Sequence, residues 1–348
     1  MKLMSVAPNK KLSVAQLIDA NLDRAREGLR VVEDWCRYGI ENKDIVIQLK
    51  DFRQQLGRHH QYRYKQARSI TSDQGIGLQH PEQKTRVKPE QVVAANCARI
   101  QESLRVLEEF SRIDNPQLAN DASNIRYKIY DLEVCIIKAT IGFQRRKRLN
   151  SARICLITSS ENENIPKINA ALQAGVKMIQ YRSKDSTDLE NFRKASEIST
   201  LCKRNEALFI INDRIDIAIA VEADGVHLGQ EDLPLKIARQ MIGFNHLIGI
   251  STHSTKEIKN AQLSDADYLG VGPIYKTSSK PNLDPLGITY VEEAAKNATL
   301  PWFAIGGINS SNLKEILDAG AKKIAVVGAI MNSTSPKHAS EKLLEMMK

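Results

Sequence analysis

The chain is poor in cysteine and has no paired cysteines. Its five, Cys36, Cys97, Cys135, Cys155 and Cys202, are scattered, odd in number and never spaced Cys-x-x-Cys. That pattern excludes a disulfide framework and predicts reduced thiols in a cytoplasmic protein. No apolar run approaches the roughly 18 residues of a membrane span. The start, Met1 to Pro8, has no signal-peptide apolar core, so neither a spanning nor a secreted protein is expected. There is no low-complexity tract. No helix-turn-helix, zinc or RNA-binding signature stands behind the basic charge, which argues against nucleic acid as a partner. No Ser-His-Asp or Cys-His arrangement suggests a protein nucleophile.

What is present is an ordinary soluble composition, 42% hydrophobic and 26% charged over 348 residues. That length holds a (β/α)8 barrel of roughly 200 to 250 residues with about 100 to 150 to spare. The net charge of +9 is unevenly spread. Residues 1–149 hold 27 Lys and Arg against 18 Asp and Glu, whereas residues 150–348 hold 23 of each.

The front of the chain, residues 1–143, is patterned as helices and contains a duplication. Asn21, Arg24, Glu27, Leu29, Arg30, Val31, Glu33 and Arg37 recur 75 residues later as Asn96, Arg99, Glu102, Leu104, Arg105, Val106, Glu108 and Arg112. Each copy (about 19–60 and 94–135) continues into a second helical stretch carrying an arginine beside apolar residues, Arg53 and Arg126. Leu22, Ala25, Leu29, Val32 and Cys36 step by three and four and form the expected buried stripe. Arg24, Glu27 and Arg30, like Arg99, Glu102 and Arg105, are spaced for intrahelical ion pairs. The same rows could instead line an anion site or a subunit interface, and a homo-oligomer stays open. Residues 144–150, with Arg145-Arg-Lys-Arg148, read as a solvated basic linker.

From residue 151 to 348 short apolar runs alternate with amphipathic stretches. The strand candidates are 153–158, 178–182, 208–212, 225–228, 247–250, 268–272, 302–305 and 323–327. Eight strands, each followed by a helix, predict a closed parallel barrel of the TIM type. In such a barrel the loops after the strands meet on one face, where ligands bind. The polar blocks of this chain fall there. Gln180, Arg182 and Lys184 alternate at the end of the second strand and point inward, a costly position unless an anion meets them. Asp213 and Asp232 end adjacent units and can share one magnesium ion with substrate phosphates. Gly306-Gly307 and Val327-Gly328 follow the seventh and eighth strands, where backbone N–H groups cradle phosphate. The long loop 272–287, containing Thr277, Ser278, Ser279 and Lys280, reads as a lid.

These blocks, in this order over roughly residues 150–348, resemble the thiamine-phosphate synthase family. The matching motifs are Gln-x-Arg-x-Lys, Ile-Asn-Asp-Arg-x-Asp, Ala-Asp-Gly-Val-His-Leu-Gly-Gln-x-Asp, Ser-x-His, Gly-Pro-x-x-x-Thr-x-Ser-Lys and Ile-Gly-Gly-Ile. The resemblance implies a transferase that joins 4-amino-2-methyl-5-hydroxymethylpyrimidine diphosphate to a thiazole phosphate and releases pyrophosphate. It implies that Gln180, Tyr181, Arg182, Ser183, Lys184, Asn212, Ser251 and Lys280 hold the pyrimidine diphosphate, with Arg182, Lys184 and Lys280 stabilising the departing anion. Thr277, Ser278, Ser279, Gly307, Val327 and Gly328 would meet the thiazole phosphate, and Asp213 and Asp232 would bind one Mg2+. Gly328 stands where many members have Ser. The helical front half resembles an extra domain on some members, and its role stays open. Two alternatives remain at this stage. One is a thiazole tautomerase using an acid/base residue such as His253, and the other a ligand-sensing protein with an inactive barrel.

Overall fold

The computed structural model describes residues 10–68, 86–158, 165–183, 186–277 and 283–348. Lys184, Ser278, Ser279 and Lys280 lie outside the described residues. The chain divides into two compact units, Met1–Phe143 and Gln144–Lys348.

The first unit is helical: α1 (Lys10–Tyr38), α2 (Lys43–Arg58), α3 (Tyr62–Gln66), α4 (Pro89–Ser111) and the first part of α5 (Pro116–Ser151). In α1 the stripe Ile18, Leu22, Ala25, Leu29, Val32 and Cys36 is buried, every member at 1% exposure or less. Val93, Cys97, Ile100, Leu104 and Leu107 repeat the same steps on α4. The two helices approach most tightly at Gly28, where a Cβ would lie 2.7 Å from Ile100 Cγ1. Some contacts recur at corresponding positions of the two segments. Asn21 and Asn96 donate to the carbonyls of Leu17 and Val92. Glu33 accepts from Arg53 at 2.9 Å, and Glu108 from Arg126 at 2.8 Å. The intrahelical ion pairs differ from those expected. Arg30 reaches forward to Glu33 and Asp34, and Arg105 to Glu108 and Glu109.

The second unit is a closed parallel barrel with strand order β1 to β8. After the end of α5 come β1 (Ile154–Ile157), α6 (Ile165–Gln173), β2 (Met178–Tyr181), α7 (Asp188–Arg204), β3 (Leu208–Asn212) and α8 (Ile215–Ala220). Then follow β4 (Gly225–Leu228), α9 (Leu235–Ile242), β5 (Leu247–Thr252), α10 (Thr255–Gln262), β6 (Tyr268–Val271) and α11 (Gly287–Asn297). The last are β7 (Trp302–Ile305), α12 (Leu313–Asp318), β8 (Ile324–Val326), α13 (Gly328–Met331) and α14 (Pro336–Met346). Period-two alternation sorts the side chains. Ile179, Tyr181, Phe209 and Ile211 face the surrounding helices, while Met178, Leu208 and Ile210 fill the interior. Two barrel helices start on side-chain caps: Thr187 and Glu190 form a reciprocal capping box on α7, and Ser254 accepts from Glu257 N on α10.

The interior is unusual in one respect. Tyr268 lies across it, 2% exposed, its ring edge-on to Phe303 at 5.8 Å. Two strand glycines make the room. A Cβ on Gly249 would lie 2.1 Å from Tyr268 Cζ, and one on Gly270 would lie 3.2 Å from His227 Cε1. Glycine inside a strand marks such a close approach.

Residues 144–150 are not a solvated linker; they belong to the last turns of α5. Arg145 and Arg148 both bind Asp224 Oδ1, at 2.8 and 2.9 Å, and Arg146 binds Asp267 Oδ1 at 2.7 Å. Those two acids precede β4 and β6 at the bottom of the barrel, and their other oxygens accept strand amides of Phe209 and Ile248. Lys323 Nζ donates to the carbonyls of Leu149, Asn150 and Ala152. The basic cluster therefore answers carboxylates that lie far away in sequence. Among the described residues no helix is long and apolar enough to cross a membrane.

Two outcomes follow. Glu108 and Arg126 are each 8% exposed, and removing one partner strands a buried charge. Glu108→Ala should therefore cost about 3–5 kcal/mol in urea unfolding, and a Glu108→Leu/Arg126→Met pair much less. Burial pushes the Glu108 carboxyl up, but Arg126 and Arg105 outweigh it and leave it below its ordinary value of 4.5. Its stabilisation is thus complete above pH 4.5 and is lost as the pH falls through the lowered value, which unfolding at pH 3 to 6 would read. In the barrel, Gly249→Ala should lower stability by about 1–3 kcal/mol through overpacking against Tyr268. Adding Tyr268→Leu should recover part of that loss, giving non-additive thermal shifts.

Candidate active site

All eight strands deliver side chains or backbone to one cavity of about 760 Å³ at their C-terminal ends. Its floor and walls include Ile157 from β1, Gln180 from β2, Asn212 from β3, His227 from β4 and Ser251 from β5. Gly270, Ile305 and Ala325 complete the ring from β6, β7 and β8. Ten of the residues expected from the sequence meet there: Gln180, Arg182, Asn212, Asp213, Asp232, Ser251, Thr277, Gly307, Val327 and Gly328.

Local folding explains several of these placements. The Asn212–Arg214 segment turns sharply, with Arg214 N donating to Asn212 O at 2.7 Å. Asp213 sits at φ +61° and donates its N–H to His227 O at 2.9 Å. Asp is among the few residues that tolerate this left-handed region, and strain of this kind gathers at functional sites. The next residue is turned away: Arg214 pairs with Asp188 and Asp216 outside the cavity. Asp232 is fixed by accepting the Gly229 N–H at 2.6 Å. Gly306 and Gly307 adopt φ +105° and +67°, and a Cβ on either would strike the segment after β6, at Pro273 or Lys276. That segment is pinned in turn, because Ile274 N and Tyr275 N donate to Ile305 O and Gly306 O. At Gly328 a Cβ would lie 3.0 Å from Asn332 Nδ2, so a serine there would press on that amide.

Two expected residues lie elsewhere. The Tyr181 side chain points outward, 3% exposed among the helix-facing residues, and its phenol donates to Asn191. Strand parity forces this, since Gln180 takes the inward position. Ser183 Oγ meets Ser186 Oγ at 2.8 Å and is not part of the lining. The sequence reading missed His227, Gln230, Glu257 and Lys276, which all line the cavity. His227 had a signal, being two residues after Gly225 in a strand whose alternate positions face inward. Glu257 had none, and it reaches the site by accepting from His253 N at 2.8 Å.

The charge pattern of the lining is mixed. Among the described residues it carries Asp213, Glu231, Asp232 and Glu257 against Arg182 and Lys276. An anionic ligand beside Asp213 and Asp232 needs a cation between, and an all-oxygen donor set suits Mg2+. Among the described residues no group of three His, Cys, Asp or Glu could hold a metal alone.

Residues 154–330 match the thiamine monophosphate synthase family model. Residues 16–135 match that of the ThiD2 family. Thiamine-phosphate synthases of Prochlorococcus marinus strain MIT 9303 and of Synechococcus strain CC9311 are 56% and 51% identical, each alignment covering 100% of both chains. The helical unit is thus shared with these relatives. Among solved structures, thiamine phosphate pyrophosphorylase from Pyrococcus furiosus is 33% identical, with a TM-score of 0.53 over 58% of this chain and 96% of its own. Barrel, cavity and likeness agree: the chain belongs to the thiamine-phosphate synthase family, transferases that form thiamine phosphate in thiamine biosynthesis.

Proposed function

We propose that the cavity condenses 4-amino-2-methyl-5-hydroxymethylpyrimidine diphosphate with 4-methyl-5-(2-phosphoethyl)thiazole, or its carboxylated tautomer, by a dissociative substitution. The bond between the pyrimidine methylene carbon and the diphosphate oxygen breaks first, and its electron pair leaves with pyrophosphate. The thiazole nitrogen then gives its lone pair to the methylene cation, forming thiamine phosphate. With the decarboxylated thiazole no proton needs to move; the carboxylated form must also lose its carboxyl group as CO2, and the carbon it leaves takes a proton from water. Neither acceptor requires a protein nucleophile.

The observation that carries this reading is the meeting of Arg182, Asn212, Asp213, Asp232 and Ser251 with Thr277, Gly307, Val327 and Gly328 in one cavity. The first group suits a diphosphate and the second a monophosphate. Arg182 offers a forked donor to phosphate oxygens, and Asn212 and Ser251 add neutral donors. Lys184 and Lys280, from the sequence, would add two point charges to the departing anion. Thr277, Ser278 and Ser279, with the Gly307 and Val327–Gly328 backbone, would hold the thiazole phosphate. Asp213 and Asp232 would hold one Mg2+, which neutralises charge on the diphosphate when bound. Fixed donors aimed at developing negative charge supply the main rate gain in such a site. We further place the enzyme in the cytoplasm, where its five free cysteines stay reduced.

The test is pyrophosphate release by the full-length protein from the two substrates, with Mg2+ or with chelator. Release should require Mg2+ and both substrates to form product. Arg182→Met and Asp213→Ala should each lower kcat roughly 10²- to 10³-fold. Release that is indifferent to chelator, or unchanged in both variants, would contradict the assignment of the site.

A further inference from the structure

The barrel interior holds a chain of hydrogen bonds that runs from Gln180 through two buried rings to Ser251. The Gln180 side chain reaches the Tyr268 phenol. That phenol oxygen lies 3.2 Å from His227 Nδ1, and His227 Nε2 lies 3.0 Å from Ser251 Oγ. Gln180, Tyr268 and His227 are 3%, 2% and 9% exposed, whereas Ser251 is only partly buried and lines the cavity. The Ser251 backbone is fixed as well, its carbonyl accepting from Gln230 Nε2 at 2.6 Å. Gly249 and Gly270 clear the volume that the two rings occupy. Four strands, β2, β4, β5 and β6, are thus linked through side chains along the barrel axis.

Donor and acceptor accounting allows a neutral chain two senses. A neutral imidazole has one N–H and one bare nitrogen, and a hydroxyl donates one hydrogen. In the first sense the Gln180 amide N–H donates to Tyr268, Tyr268 O–H donates to His227 Nδ1, and His227 Nε2–H donates to Ser251 Oγ. The Ser251 hydrogen is then turned to the cavity. In the second sense every bond is reversed, and Ser251 spends its hydrogen on His227. Phosphate oxygens only accept, so an anionic ligand at Ser251 selects the first sense.

We propose that Tyr268 and His227 are positioning residues that hold Ser251 as a hydrogen-bond donor to a diphosphate oxygen, with His227 fixed as the neutral Nε2–H tautomer. The identity of the ligand rests on the function proposed above, whereas the tautomer follows from any phosphate anion at Ser251, and inorganic pyrophosphate with Mg2+ supplies one without turnover.

The experiment combines ¹⁵N NMR of histidine-labelled full-length protein with steady-state kinetics, the His227 signals being assigned through His227→Gln. With inorganic pyrophosphate and Mg2+ present, the wild type should show a bare Nδ1 and a protonated Nε2 at neutral pH. In Tyr268→Phe both shifts should move toward the average of the two tautomers. That variant should raise KM for the pyrimidine diphosphate roughly ten- to a hundredfold, the cost of one hydrogen bond to a charged group, and leave KM for the thiazole phosphate unchanged. His227→Gln, which keeps an N–H near the Nε2 position, should retain more activity than His227→Ala. A protonated Nδ1, an imidazolium, or a folded Tyr268→Phe with unaltered shifts and KM would overturn the proposal. If the wild type releases no pyrophosphate, the function reading fails by itself, and the tautomer spectrum still decides the relay.

Discussion

A closed parallel barrel must fill its own axis, and the other features of the catalytic unit depend on how this one does so. Aliphatic side chains occupy the lower interior, among them Met178, Leu208 and Leu247. Packed with them is Tyr268, whose ring meets that of His227, in room cleared by Gly249 and Gly270. The top of the packed core is therefore polar, and Gln180 and Ser251 rest on it. A jigsaw core of this density transmits position, so side chains at the strand ends inherit the precision of the rings beneath them.

On that floor the electrostatics are arranged to need a ligand. Carboxylates at Asp213 and Asp232 face the same cavity as Arg182, with Asp213 held at a left-handed turn and Asp232 tied to Gly229. A diphosphate with a hard cation would satisfy both signs, and the charge that develops on bond cleavage would fall on groups already in place. The bottom of the barrel is closed by the opposite kind of contact. There Arg145, Arg146 and Arg148 meet Asp224 and Asp267 in pairs within the protein. Ion pairs thus seal one end, while the charges at the other end converge on a cavity.

Much of this was legible in the sequence because strand parity and strand-end position are local properties. All eight strands lie where alternation placed them, and β3, β4 and β7 have the expected bounds. The α1 stripe follows from three- and four-residue steps alone. What could not be read is whatever depends on a distant partner. The basic run at 145–148 looks solvated until Asp224 and Asp267 are brought beneath it. Tyr181 and Gln180 are adjacent in one motif, yet the pleat sends them to opposite faces. His227 is one histidine among seven until β6 sets Tyr268 against it. In the helical unit the Glu33–Arg53 and Glu108–Arg126 pairs appear only when α2 folds back on α1 and α5 on α4.

Protein carboxylates and substrate diphosphate are proposed to make the metal site together. Calorimetric titration of the full-length protein with the pyrimidine diphosphate, with and without Mg2+, tests it most directly. Binding couplings are reciprocal, so each ligand must tighten the other by the same factor. Mg2+ should bind weakly to the protein alone, the diphosphate should bind roughly tenfold or more tighter when Mg2+ is present, and Asp232→Ala should abolish that coupling. Mg2+ that binds equally well without the diphosphate, or that leaves diphosphate affinity unchanged, would contradict it.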